Sequence, residues 1–198
     1  MTTAYQNARL LIQQVNADSV FRQQSSKEWQ GPFDLPSEVL DYYQHMGPVD
    51  VLIEAYGNSY FLPSLAELWA FQAGYRYLTP SGEAIREWDD DWIVIADEGG
   101  DPFIFSQSSK SIFFAHHGEG SWHPEKIFDC LGHMVECFAI LGEIVTTNRE
   151  KLTDEDSMII LEYAESARNR LAVSFGSIAK ADHALMFLGW SNSKYESP

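Results

Sequence analysis

The sequence predicts an α+β fold: a central twisted, mainly antiparallel sheet flanked by helices, with an added helical pair at the C-terminus. Apolar residues recur at helical spacing near both ends of the chain, while short apolar runs separated by turn residues fill the middle. At the centre, Trp92-Ile93-Val94-Ile95-Ala96 is continuously apolar and largely β-branched, the pattern of a strand buried on both faces.

The elements follow in order. Ala8, Leu11, Ile12 and Val15 form one stripe and predict a helix over 3–16. A second helix is expected to open at Leu35-Pro36, with proline at its first position, and to stop at Gly47-Pro48. Val49 to Ala55 reads as a strand, and Gly57-Asn58 as a turn into Tyr60-Phe61-Leu62. Leu65 to Phe71 reads as a short helix, and Pro80-Ser81-Gly82 marks a turn in the ambiguous stretch from Gly74 to Asp91. After the central strand, Glu98-Gly99-Gly100-Asp101 supplies turn chemistry, and Phe103 to Phe105 and Ile112 to Phe114 complete an antiparallel meander. Past His123-Pro124 the period turns helical, with Ile127, Leu131, Val135 and Phe138 in one stripe and Cys130, Met134, Cys137 and Leu141 widening it. Thr153 and Asp156 resemble a capping arrangement for a further helix that Gly176 ends, and a last helix runs to about Leu188.

The 198 residues suit one domain, and 45% apolar against 21% charged residues argue against disorder. No secretory signal opens the chain and no apolar run nears the ~20 residues of a spanning helix, so no membrane association is expected. If Cys130 and Cys137 share a helix they lie about 10 Å apart, too far for a disulfide. A reduced, cytoplasmic protein is the expectation. The net charge is −16, and between Gly31 and Phe105 fourteen acids face only Arg76 and Arg86. Such a field repels nucleic acid and attracts a basic protein; on the plainer reading it serves solubility.

The residues that suggest catalysis or metal binding lack the required spacing. His116, His117, His123 and His133 fall near Cys130 and Cys137, without a CxxC or an HxxxH pair on one helix face. Asp89-Asp90-Asp91, Asp97, Glu98 and Asp101 do not form an EF-hand loop. Nucleophile-elbow, Walker and dinucleotide motifs are missing, and Gly118-Glu119-Gly120 reads as a turn. No catalytic residue, metal or cofactor is expected, although a metal-dependent hydrolase stays open through the acidic and histidine clusters.

Two segments together resemble the SUKH superfamily, which includes the yeast SMI/KNR-type regulators of cell-wall synthesis and many bacterial proteins. One is Leu35-Pro36 opening a helix with Tyr43 and Gly47 near its end; the other is Ile95 to Phe105, a strand, a Gly-Asp turn and an aromatic strand. The resemblance covers roughly residues 30–142, leaving about 150–190 as an added helical extension of a single domain. Ser106 departs from the acidic residue common there in the family. The resemblance implies a non-catalytic protein of the bacterial immunity type, whose partner is a toxin domain; an intracellular regulatory scaffold is the alternative. On that reading Asp89, Asp90, Asp91, Glu98 and Asp101 form an acidic face that occupies a nuclease site as a phosphate mimic. Trp88 and Trp122, expected to be exposed, anchor it. Gly100 and Asp101 also have a structural reading, as a hairpin turn whose Asp hydrogen-bonds the turn backbone.

Overall fold

The computed structural model of the chain describes residues 2–118 and 120–190; Glu119, in the middle of the expected glycine turn, lies outside them. Six strands, β1 (Val51–Ile53), β2 (Tyr60–Leu62), β3 (Trp92–Glu98), β4 (Asp101–Ser106), β5 (Ile112–Phe114) and β6 (Glu125–Phe128), form one sheet in sequential order, antiparallel throughout. Helices α1 (Thr2–Val15) and α2 (Ser37–His45) precede the sheet, and α3 (Leu131–Asn148), α4 (Leu161–Phe175) and α5 (Ile178–Phe187) follow it. This is the α+β architecture that the alternating periodicities predict.

Alternation along the strands divides the interior in two. Ile93, Ile95, Phe103, Phe105, Ile112 and Phe114 face the helices and join the main core. Val94 and Ile104 point the other way, into a smaller cluster with Trp88 and Ala115. α3 supplies the main core's centre: Phe138 stacks on Tyr60 with centroids 4.1 Å apart and meets Phe103 edge-on at 4.7 Å. α3 also runs so close to β1 that a Cβ on Gly142 would sit 2.4 Å from Ile53 Cγ2. α1 packs along α3, α4 packs on α3 and α5, and α5 lies against β6. Ala167, Leu171, Ala181, Ala184 and Leu185 of α4 and α5 share the main core, so the C-terminal pair is integral to it.

β2 pairs with β3 only through Tyr60↔Glu98 and Phe61↔Asp97, leaving the first half of β3 without a strand on that side. The fully buried Gln72 fills the gap. Its Nε2 donates to Val94 O and its Oε1 accepts from Val94 N, both at 2.9 Å, so a side-chain amide stands in for a strand residue. Gln72 lies in a segment of turns and one 3-10 turn (Ala70–Gln72), not the expected helix over Leu65 to Phe71.

Four boundaries differ from the sequence reading. β1 is shorter than Val49 to Ala55 because Asp50 adopts φ 51° and turns its Oδ1 to Ser64 N, 2.9 Å away. Pro36 caps α2 from outside, in extended backbone, so the helix begins at Ser37. Ile127, assigned to a helical stripe, lies in β6, and Cys130 is the residue before α3. Thr153 and Asp156 belong to a turn closed by Asp154 Oδ1, which accepts from Asp156 N at 3.0 Å and Met158 N at 2.9 Å; α4 starts only at Leu161. Both cysteines are free, and burial pushes the Cys137 thiol upward. Among the described residues no helix is long and apolar enough to cross a membrane.

Candidate functional site

The acidic residues singled out in the sequence do not form one face. β3 runs from Trp92, opposite Ser106, to Glu98, opposite Asp101, so the Asp89–Asp91 group and the Glu98/Asp101 group lie about 20 Å apart at opposite ends of one hairpin.

At the first end the three aspartates differ. Asp91 is taken up by structure: Oδ2 accepts from Ser106 Oγ at 2.5 Å, and Oδ1 accepts from Ser108 N at 2.7 Å, clamping the β4–β5 turn. Asp89 Oδ1 accepts from Asp91 N at 2.8 Å while the residue stays exposed. Asp90 is exposed, with Arg76 Nη1 3.3 Å from its Oδ1.

At the second end, Gly99 (φ 64°) and Gly100 (φ 101°) make the two-residue turn that the glycines predicted, a conformation a side chain resists. Cross-strand pairing sets Glu98 beside Asp101, while Asp97 projects to the opposite face. Asp101 does not hydrogen-bond the turn backbone as expected. It reaches to the segment after β5: Oδ1 accepts from His117 N and from His117 Nδ1–H, each at 2.6 Å, and Oδ2 accepts from His116 Nδ1–H at 3.2 Å.

These contacts give the three carboxyls different acidities. Burial raises the Glu98 carboxyl to about 7, with Asp101 adding to the rise and His116 opposing it. Burial also raises Asp97, against the Gly100 N–H and the Tyr75 hydroxyl, with Asp101 adding to the rise. For Asp101 burial pushes upward too, but the His117 backbone and ring and the His116 ring outweigh it and hold the carboxyl below the usual range. The tip thus carries an anchored carboxylate, Asp101, beside a glutamate that titrates near neutrality.

An aromatic layer covers the sheet face between the two ends. Trp88, expected to be exposed, is buried with only 6% of its surface accessible, and its Nε1 donates to Trp92 O at 3.2 Å. The segment before β3 folds it over the sheet, beside Tyr75 at 5.6 Å and Trp122 at 5.7 Å. Trp122 is half-buried. Tyr75 bridges this layer to the hairpin tip, its hydroxyl donating to Gly100 O at 3.1 Å.

Comparison with protein families, curated proteins and solved structures finds no match. What the surface can do therefore follows from its own groups. The paired carboxyls of Glu98 and Asp101 suit an arginine or lysine side chain, which can hydrogen-bond their oxygens. Among the described residues no three His, Cys, Asp or Glu side chains are placed to hold a metal ion. Tyr75, His116 and His117 are the members the sequence left out of the surface. The histidines stood out there only as possible metal ligands. Yet extending the register Phe103↔Phe114 by two residues brings Asp101 to His116.

Proposed function

We propose that the chain is a cytoplasmic, non-catalytic binding protein that grips a basic protein partner through its acidic hairpin surface. The observation that carries this is the tip itself. Asp101 is fixed by three hydrogen bonds and Glu98 lies beside it, while the half-buried Trp122 sits on the opposite face of the sheet. A preorganised carboxylate loses little entropy when a cation arrives, and the acidic excess speeds the encounter. The resemblance to the SUKH superfamily supports the immunity type, in which the partner is a toxin domain and a nuclease is the kind with a suitably basic site. Exposed Asp89 and Asp90 then extend the contact along the hairpin, with Asp91 as their support.

The experiment is binding of the purified protein to the toxin domain encoded beside its gene, followed by calorimetry at low and high salt. Glu98→Lys is expected to weaken binding by at least about tenfold, and Asp89→Lys with Asp90→Lys to slow association chiefly. Failure to bind that domain at any salt would sink the proposal.

A further inference from the structure

We propose that the cleft between β6, the start of α3 and the α4–α5 pair binds a small organic carboxylate with an apolar body. The cleft encloses about 370 Å³, within the range of small-molecule sites. Its polar rim is cationic in a chain of net charge −16. Lys126 Nζ lies 2.7 Å from Asp129 Oδ1 and Lys180 Nζ 2.5 Å from Asp129 Oδ2, so two ammonium groups share one carboxylate. Each ammonium has three donors, and Asp129 engages one on each.

The His133 imidazole adds no fixed charge. Burial lowers the His133 imidazole below its usual range, and Lys180 lowers it further against Asp129 and Glu136, so it is neutral near pH 7. His183 directs Nε2–H to Lys126 O at 2.9 Å, which fixes the ring against the strand. Nearby acids have other partners: Asp182 pairs with Arg168, and Glu136 accepts from Ser174 Oγ. The lining groups Lys126, Lys180 and Asp129 thus sum to one positive charge.

Behind the rim the walls are hydrocarbon. Phe128 and Phe175 meet edge-on at 6.0 Å, and His133 lies tilted on Phe175 at 4.8 Å. Ile127 and Ala179 complete the apolar lining. A monoanion with an aryl or alkyl body fits both parts, its carboxylate bridging the two lysines and its body against the phenyl rings. A bare polyanion has no use for the walls. The site depends on α4 and α5, which gives the C-terminal pair a role beyond packing.

The test follows the imidazole signals of His133 and His183 by NMR while benzoate, hexanoate or inorganic phosphate is added at low salt. Saturable shifts are expected with benzoate and hexanoate, and binding of phosphate at least about tenfold weaker. Lys180→Met should weaken benzoate binding by about tenfold or more, whereas Asp129→Asn should strengthen it, because no internal carboxylate competes for the lysines. A purely structural role for the Asp129 pairs would not give that opposite sign. Thermal melts confirm folding, and should Lys180→Met fail to fold, Lys126→Met carries the same expectation. No saturation by about 50 mM benzoate, equal affinity in the folded Lys→Met variant, or phosphate binding as tight as benzoate overturns the proposal.

Discussion

Glu98 keeps its proton at a pH where an exposed glutamate has lost it, and that ties the stability of the fold to pH. Its carboxyl titrates at about 7 in the folded chain, above its ordinary value. Between those two values the folded state holds a proton that the unfolded chain releases, so raising the pH through this window lowers stability. Asp101 acts oppositely: its hydrogen bonds stabilise the fold above the ordinary aspartate range and are lost as acid protonates it. Urea titrations between about pH 5 and pH 8 should show a decline that Glu98→Gln flattens, with the variant gaining on the order of 1 kcal/mol at the alkaline end after allowance for partial exposure. The acidic residues and the Gly99-Gly100 turn were legible in the sequence, because a tight hairpin demands positive φ and solvated acids stand out by count. Which acid is clamped, exposed or half-protonated was not, since Asp91 and Asp101 owe their states to Ser106, Ser108, His116 and His117, neighbours only through strand register. The burial of Trp88 was hidden for the same reason; it depends on a segment without regular periodicity folding back over the sheet.

At the scale of elements, the packing of α3 on β1 leaves no room for a side chain at Gly142. Gly142→Ala places a methyl carbon 2.4 Å from Ile53 Cγ2 and 3.1 Å from Glu54 O, with Ile53 itself buried in a packed strand. Helix propensity favours alanine by about 1 kcal/mol, while forcing apart a filled core costs roughly 1–3 kcal/mol, so a net loss of up to about 2 kcal/mol is expected from the denaturation midpoint. An unchanged midpoint would mean that the helix can shift away from the strand at no cost. β3, β4 and β5 were readable because each is a compact apolar run bounded by turn chemistry. β6 was not: in Glu125-Lys126-Ile127-Phe128 only the last two residues are apolar, and Ile127 falls in phase with the helix that follows. The start of α4 was misplaced because Asp154, not Asp156, organises the local hydrogen bonds.

For the molecule as a whole, a net charge of −16 on 198 residues is a standing repulsion within the folded chain. Ion pairs such as Arg168–Asp182 and Lys180–Asp129 are partly exposed and offset little of it. Screening should therefore stabilise the protein. Raising sodium chloride from about 0.02 to about 0.5 M is expected to lift the melting temperature by roughly 2–4 °C, equivalent to ~1 kcal/mol for a chain of this size. A fall on adding salt would show that the ion pairs outweigh the repulsion. The Gln72 amide has a consequence of another kind. A half-open strand inside a sheet is a template on which a stray chain can begin to polymerise, and here a single glutamine keeps that template occupied. The folded chain thereby carries its own plug against fibril growth, at an inner strand whose neighbour falls short.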